Sequence, residues 1–274
     1  AVLVTNKKNG YQLDFGAALN NNNEALYESA YVTNYKNMQF IWFNQKFSKL
    51  SLSFLALNNG YQYENLVENK FQVAYLQTIG TYGKWDASKF YGDFGLYAQT
   101  GEAAITNDKV AVGAYYAGFN LGYKFTNPFK AELGFEYLSG KDQNDTDTKV
   151  KSFTPLFGTN HGFNGLMDYF YVGNHKNSVG LQDFYIKFIY DKNKWQVTLA
   201  PHLFYSAASV YNMTTLEEQD SYLGTEIDLT ATYKLDENFV ISGGISKMFA
   251  SDTMEILKGG NNNNCNNWAW VMVS

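Results

Sequence analysis

The chain has 274 residues, and its 21 basic side chains against 26 acidic ones give a formal net charge of −5, which excludes a nucleic-acid binder held by phosphate neutralisation. All of the basic residues are lysines, a single Cys265 excludes a disulfide scaffold and any CxxC site, and three histidines are too few for a His-rich metal centre. Aromatics at 18%, 23 glycines and only 3 prolines point to many strands joined by short turns. No run approaches the roughly 18 apolar residues of a transmembrane helix, but a mean hydropathy of −0.34 does not exclude a transmembrane β-barrel, where only alternate residues face lipid.

In chain order, period-2 alternation gives thirteen candidate strands: 1–7, 10–19, 35–47, 49–58, 70–83, 88–100, 110–125, 128–139, 178–190, 194–206, 221–235, 238–250 and 267–274. From Tyr11 to Leu19 the apolar set is Tyr11, Leu13, Phe15, Ala17 and Leu19. In 129–137 Phe129, Ala131, Leu133, Phe135 and Tyr137 alternate with Lys130, Glu132, Gly134 and Glu136. In 184–190 Phe184, Ile186, Phe188 and Tyr190 share one face, and in 223–235 Leu223, Ile227 and Leu229 stand against Glu226 and Asp228. The segments 38–47 and 52–57 are apolar on both parities.

The connections alternate in length. Tight turns at Lys7–Gly10, Phe47–Lys49, Lys84–Ser88, Phe125–Pro128, Asp191–Lys194 and Leu235–Asn238 are interleaved with long loops at 20–34, 59–69, 101–109, 140–177, 207–220 and 251–266. Short periplasmic turns and long extracellular loops are the pattern of an outer-membrane up-and-down antiparallel β-barrel, and a soluble sandwich has no reason to keep every second loop long. The reading is one barrel domain over 1–274 with a long extracellular loop at 140–177. An odd strand number whose first strand runs downward implies further strands upstream, so this is read as the C-terminal part of the barrel, with a few residues also missing after Ser274.

The long loop carries a resemblance. The segment from Ser152 to Phe170, with Thr154-Pro155-Leu156-Phe157-Gly158 and His161-Gly162-Phe163-Asn164-Gly165, resembles the alginate-export family of outer-membrane porins. Asn174-His175, Val179–Asp183, Tyr35–Gln39, Gly134–Gly140 and Asn267–Met272 fit the same pattern, so the similarity covers most of the chain. It implies a Gram-negative outer-membrane location and a complete barrel of about eighteen strands, with the N-terminal ones upstream of Ala1. The family's polyuronate cargo suits an arginine-rich lumen, and this chain has no arginine.

Strand parity assigns channel-lining positions to Lys89, Asp93, Lys130, Glu132, Glu136, Asp183, Lys187, His202, Glu226, Asp228 and Lys234, with Asp14 on an earlier strand. These signs are mixed, and same-face neighbours Lys130 and Glu132, about 7 Å apart, predict local neutralisation and weak selectivity. The loop half carrying Phe153, Phe157, Asn160, His161, Phe163, Asp168 and Tyr169 is too apolar to remain in water, and it reads as a constriction folded inward or as an external cap. Its acidic start, Asp142 to Asp147, lacks EF-hand spacing and reads as a solvated tip. The asparagine runs at 20–23 and 261–264 read as loop tips.

No catalysis, metal or cofactor is expected. His202 and Ser206, four apart on one strand, are about 13 Å apart, and His161 and His175 have no acid or serine at a recognisable spacing. The expected partners are outer-membrane lipid, an oligosaccharide or other small solute, and other outer-membrane proteins, with no nucleic acid. Two functions follow: passive passage of oligosaccharide or small hydrophilic solutes through a porin-like channel, or a docking barrel in an outer-membrane complex without transport of its own.

Overall fold

Alternating residues become two chemically distinct faces only when neighbouring strands satisfy each other's backbone, and every strand in this chain does so with its sequence neighbours. The structure is a computed structural model that describes residues 1–20, 35–105, 107–158, 161–175 and 177–274. The strands follow chain order in one antiparallel sheet. They are β1 (Val2–Lys8), β2 (Tyr11–Leu19), β3 (Asn37–Lys46), β4 (Leu50–Asn65), β5 (Lys70–Ala87), β6 (Phe90–Ile105), β7 (Asp108–Lys124), β8 (Phe129–Leu138), β9 (Leu181–Lys192), β10 (Trp195–Tyr205), β11 (Tyr222–Lys234), β12 (Val240–Ala250) and β13 (Asn266–Val273). One helix, α1 (Asp252–Lys258), precedes the last strand. Of the connection expected at 20–34, residues 21–34 lie outside the described residues, as do three of the four asparagines of the run at 20–23.

The chain divides into two compact units, one of residues 1–85, 95–116 and 146–151, the other of residues 86–94, 117–145 and 152–274. In the first, β2, β3 and β4 place Leu13 opposite Phe43 and Phe43 opposite Phe54. Phe15, Ile41, Phe54 and Ile79 are exposed on one face, while Asp14, on the other, is buried and accepts a hydrogen bond from Gln12 Nε2 at 2.7 Å.

Two expected long loops are strand instead. β4 runs 16 residues to Asn65, well beyond the expected end at 58, so the connection 59–69 shrinks to a turn at 66–69, and β5 runs on to Ala87 at its other end. Likewise β6 extends to Ile105 and β7 begins at Asp108, which removes most of the loop expected at 101–109. For β4 the physical reason is a polar side-chain ladder that begins inside the expected spans and continues past residue 58 at Tyr63. Gln77 Nε2 donates to Asn58 Oδ1 and Asn58 Nδ2 to Gln39 Oε1, both at 2.7 Å, while Tyr63 Oη donates to Gln72 Oε1. Strands continued by polar ladders have no apolar alternation to betray them, and they extend past the roughly 9–11 residues that cross a bilayer.

In the second unit the pairs Phe135–Phe184, Leu199–Phe188 and Leu229–Ile245 fix the register. Leu133, Ile186, Phe188, Ile227 and Leu229 stand 38–56% exposed on one face, a surface stable only against hydrocarbon. Phe135, expected with them, is half-buried because its ring meets Phe184 at 4.5 Å. The core of this unit gathers at the end carrying the long loops, where Leu138, Leu181, Phe204 and Leu223 are almost fully buried with Val210, and Phe170 packs on Phe204 at 4.7 Å. Helix α1 adds Thr253 and Met254 to it. Ser251 caps the helix by accepting the Met254 N–H at 3.2 Å and donating to the Tyr222 carbonyl at 2.6 Å.

Candidate functional site

Register brings the acidic positions of the second unit together. On the face opposite the exposed apolar rows, β8 and β9 set Glu136 opposite Asp183, and β10 and β11 set His202 opposite Glu226, with Asp228 two residues further on. Asp183 and Glu226 are 0% exposed, so a carboxylate pair that ordinarily needs water must find protein donors.

Loop 140–177 supplies those donors. The backbone N–H groups of Leu166 and Met167 donate to Glu226 Oε1 at 2.6 and 2.9 Å, and that of Leu166 also reaches Asp228 Oδ2 at 3.2 Å. Asn164 Nδ2 donates to Glu136 Oε2 at 3.0 Å and to Asp183 Oδ2 at 3.2 Å. His202 Nδ1 donates to Asp183 Oδ1 at 2.9 Å, with Nε2 4.0 Å from Asp228 Oδ2. Gly165, between the donors, has φ +79°, and a Cβ there would lie 2.6 Å from the Glu226 carboxylate, so this turn requires glycine twice over. Successive N–H groups aimed at one carboxylate form a charge-assisted clamp.

The rest of the loop is anchored at its ends. Lys141 donates its N–H to the Ser178 carbonyl at 2.9 Å, and Phe153 donates to Ser139 at 2.9 Å with its ring buried. His175 is 3% exposed and its Nε2 bonds the Phe170 carbonyl at 3.2 Å; burial, reinforced by the charge of Lys258, pushes its pKa down to about 4. Burial and the Glu226 charge push the Tyr169 phenol above its ordinary value. The acidic start of the loop is docked, not a freely solvated tip: Asp142 Oδ1 accepts the Ser209 N–H and Gln143 Oε1 the Tyr211 N–H, both at 2.7 Å.

The other expected lining residues lie apart from this tier. Glu132 accepts a hydrogen bond from Tyr91 Oη at 2.9 Å, Asp93 is half-buried on β6, and Lys187 Nζ sits 4.7 Å from the Tyr185 ring centre. Lys130 pairs with Asp191 at 3.0 Å, and Glu132 has Lys187 directly opposite it on β9. Lys234 is exposed at the end of β11, and Lys89 lies in a turn because β6 starts only at Phe90. Lysine and carboxylate therefore still neighbour each other on β8 and β9, Lys187 opposite Glu132 and Lys130 beside Asp191.

Within the loop, Phe157 and Phe163 are 60% and 46% exposed, against the expectation that the whole apolar half packs away. Asn160 lies outside the described residues. His161 acquires an acid that spacing did not reveal: its Nδ1 lies 2.8 Å from Asp168 Oδ2, and its ring meets Trp268 edge-on at 5.6 Å. Sequence reading missed Asn164, Gly165 and the two backbone donors. The Asn164-Gly165 turn dipeptide inside an apolar run was the available signal. Among the described residues no group of three or more His, Cys, Asp or Glu side chains is arranged to hold a metal ion.

An antiparallel sheet with one lipid-compatible apolar face and a long loop held on its polar face defines an outer-membrane β-barrel protein. The family described as Alginate export matches residues 74–266, and the chain belongs to that family of Gram-negative outer-membrane proteins. Among solved structures it is similar to the copper transporter OprC, with a TM-score of 0.42 and 12% identity over 89% of this chain and 39% of that one. It is also similar to the Ralstonia pickettii toluene transporter TbuX, with a TM-score of 0.32 and 10% identity over 92% of this chain and 76% of that one. The chain thus spans well under half the length of the copper transporter. No curated protein matches it.

Proposed function

We propose that the protein is a passive outer-membrane channel for oligosaccharides or other small hydrophilic solutes, narrowed by loop 140–177 folded onto its inner face. The observation that carries this reading is the Glu226 carboxylate clamped by the Leu166 and Met167 N–H groups. A loop held that deep among strand carboxylates narrows a lumen, whereas an external cap would contact strand ends only. The cargo is neutral or mixed in charge. A polyuronate suits an arginine-rich lumen, and this chain has no arginine.

The test is single-channel recording on the full-length protein, with residues 161–168 replaced by a short Gly-Ser link that keeps Phe153 and Phe170 in the core. Larger conductance and admission of larger solutes are expected, together with a cation-leaning reversal potential in a salt gradient. Unchanged conductance would overturn the constriction. Marked anion preference, or block by alginate oligomers at low concentration, would show that polyuronate export survives. Absence of any conductance would favour a docking barrel.

A further inference from the structure

The polar face next to the clamp carries two indoles that membrane anchoring does not explain. Trp268 and Trp270 alternate with Ala269 on β13, and Trp268 pairs across to Ser246, itself opposite Asp228, which places both rings on the same face as the acidic tier. Tryptophans that anchor a barrel face outward at the lipid interface; the outward position here belongs to Val271, 79% exposed. The two ring centres lie 6.3 Å apart with planes inclined by 37°, and neither ring is buried.

The setting of Trp270 shows which part of the ring is offered. Its Nε1–H is buried without a hydrogen-bond partner, tucked over Gly244, where a Cβ would lie 2.6 Å from Nε1. With its donor turned into the sheet, what the half-buried Trp270 leaves accessible is ring carbon. Beside Trp268 stands the His161–Asp168 pair, with 55% and 37% of the side chains exposed, and Phe163 from the same turn is also exposed.

We propose that Trp268 and Trp270, with His161 and Asp168, form a stacking subsite for the rings of a neutral pyranose oligosaccharide. The C–H face of a pyranose is apolar and slightly positive, which suits the negative face of an indole, while its rim of hydroxyls needs donors and acceptors such as an imidazole and a carboxylate. The exposed carboxylate of Asp168 disfavours an acidic sugar. This inference rests on the channel reading and names its substrate class.

The experiment records open-channel current through the full-length protein while neutral glucose oligomers of one to seven units are added. Ion current without sugar tests the channel reading alone. Concentration-dependent block that strengthens with chain length is expected. Trp270→Leu and Trp268→Leu, which keep apolar bulk and remove the π face, should each raise the half-blocking concentration roughly three- to tenfold. Trp270→Phe should recover most of the block. A conducting channel that neutral oligomers leave unblocked would overturn the inference, as would block that is the same in wild type and both leucine variants. So would block by oligouronates as strong as that by glucose oligomers. If a leucine variant fails to assemble, the comparison of Trp270→Phe with His161→Ala decides it: retained block in the first and weakened block in the second is expected, and the reverse overturns it.

Discussion

The two faces of β11 obey opposite rules within the same few residues. Ile227 and Leu229 point to a solvent that accepts no charge, and any apolar side chain of suitable size serves there. Glu226 and Asp228, their immediate neighbours, are buried more deeply than either, yet they are tolerated because a loop from another part of the chain brings N–H groups to them. Lipid asks only for a residue class. The polar face asks for a particular partner, so its sequence is legible only once the fold is known.

The sharpest way to break this contrast is to exchange the rules. Leu229→Arg should cost about 2–4 kcal/mol at midplane depth, read as urea unfolding in lipid vesicles, whereas Asp228→Asn should cost under about 1 kcal/mol. Equal costs would mean that the outward row does not face hydrocarbon. Next comes the clamp: Gly165→Ala forces a side chain into the positive-φ region and against Glu226, and should weaken loop docking by about 1–3 kcal/mol. Protease cleavage near residue 165 in the folded protein measures it, and unchanged resistance would contradict the clamp.

A somewhat smaller effect should follow from pH. His175 is neutral when docked, its pKa held at about 4 against an ordinary 6.5, and a released loop takes up a proton below that ordinary value. Docking is therefore strongest above pH 6.5, weakens as pH falls, and levels off near pH 4. At about pH 5.5 the released population should rise about tenfold. Hydrogen exchange of the loop checks this, and His175→Gln should flatten the dependence. The smallest effect should come from Lys130→Ala, whose half-exposed pair with Asp191 contributes less than about 1 kcal/mol.

Strand identity and facing were legible because Phe15, Leu133 and Ile227 each alternate with polar neighbours, and lipid imposes that period directly. The full length of β4 was not, because Tyr63 and Gln72 continue the pairing through a polar side-chain bond that carries no hydropathy signal. The parity of Glu226 and Asp228 placed them on the polar face, but their partners are backbone groups of Leu166 and Met167, and a backbone donor leaves no residue signature. His161 and Asp168 were both visible as residues. What joined them was a turn through Gly162, whose N–H also reaches Asp168 Oδ1 at 3.3 Å.

The amide ladder of the β4–β5 hairpin has a consequence for life at a cell surface. Asparagine and glutamine side chains neither titrate nor attract counterions, so the ladder from Gln39 through Asn58 to Gln77 is indifferent to acidity and ionic strength alike. Seawater, fresh water and acidified medium should all leave these amide bonds equally formed, whereas the Lys70–Glu68 pair at the hairpin's turn responds to each change of surroundings.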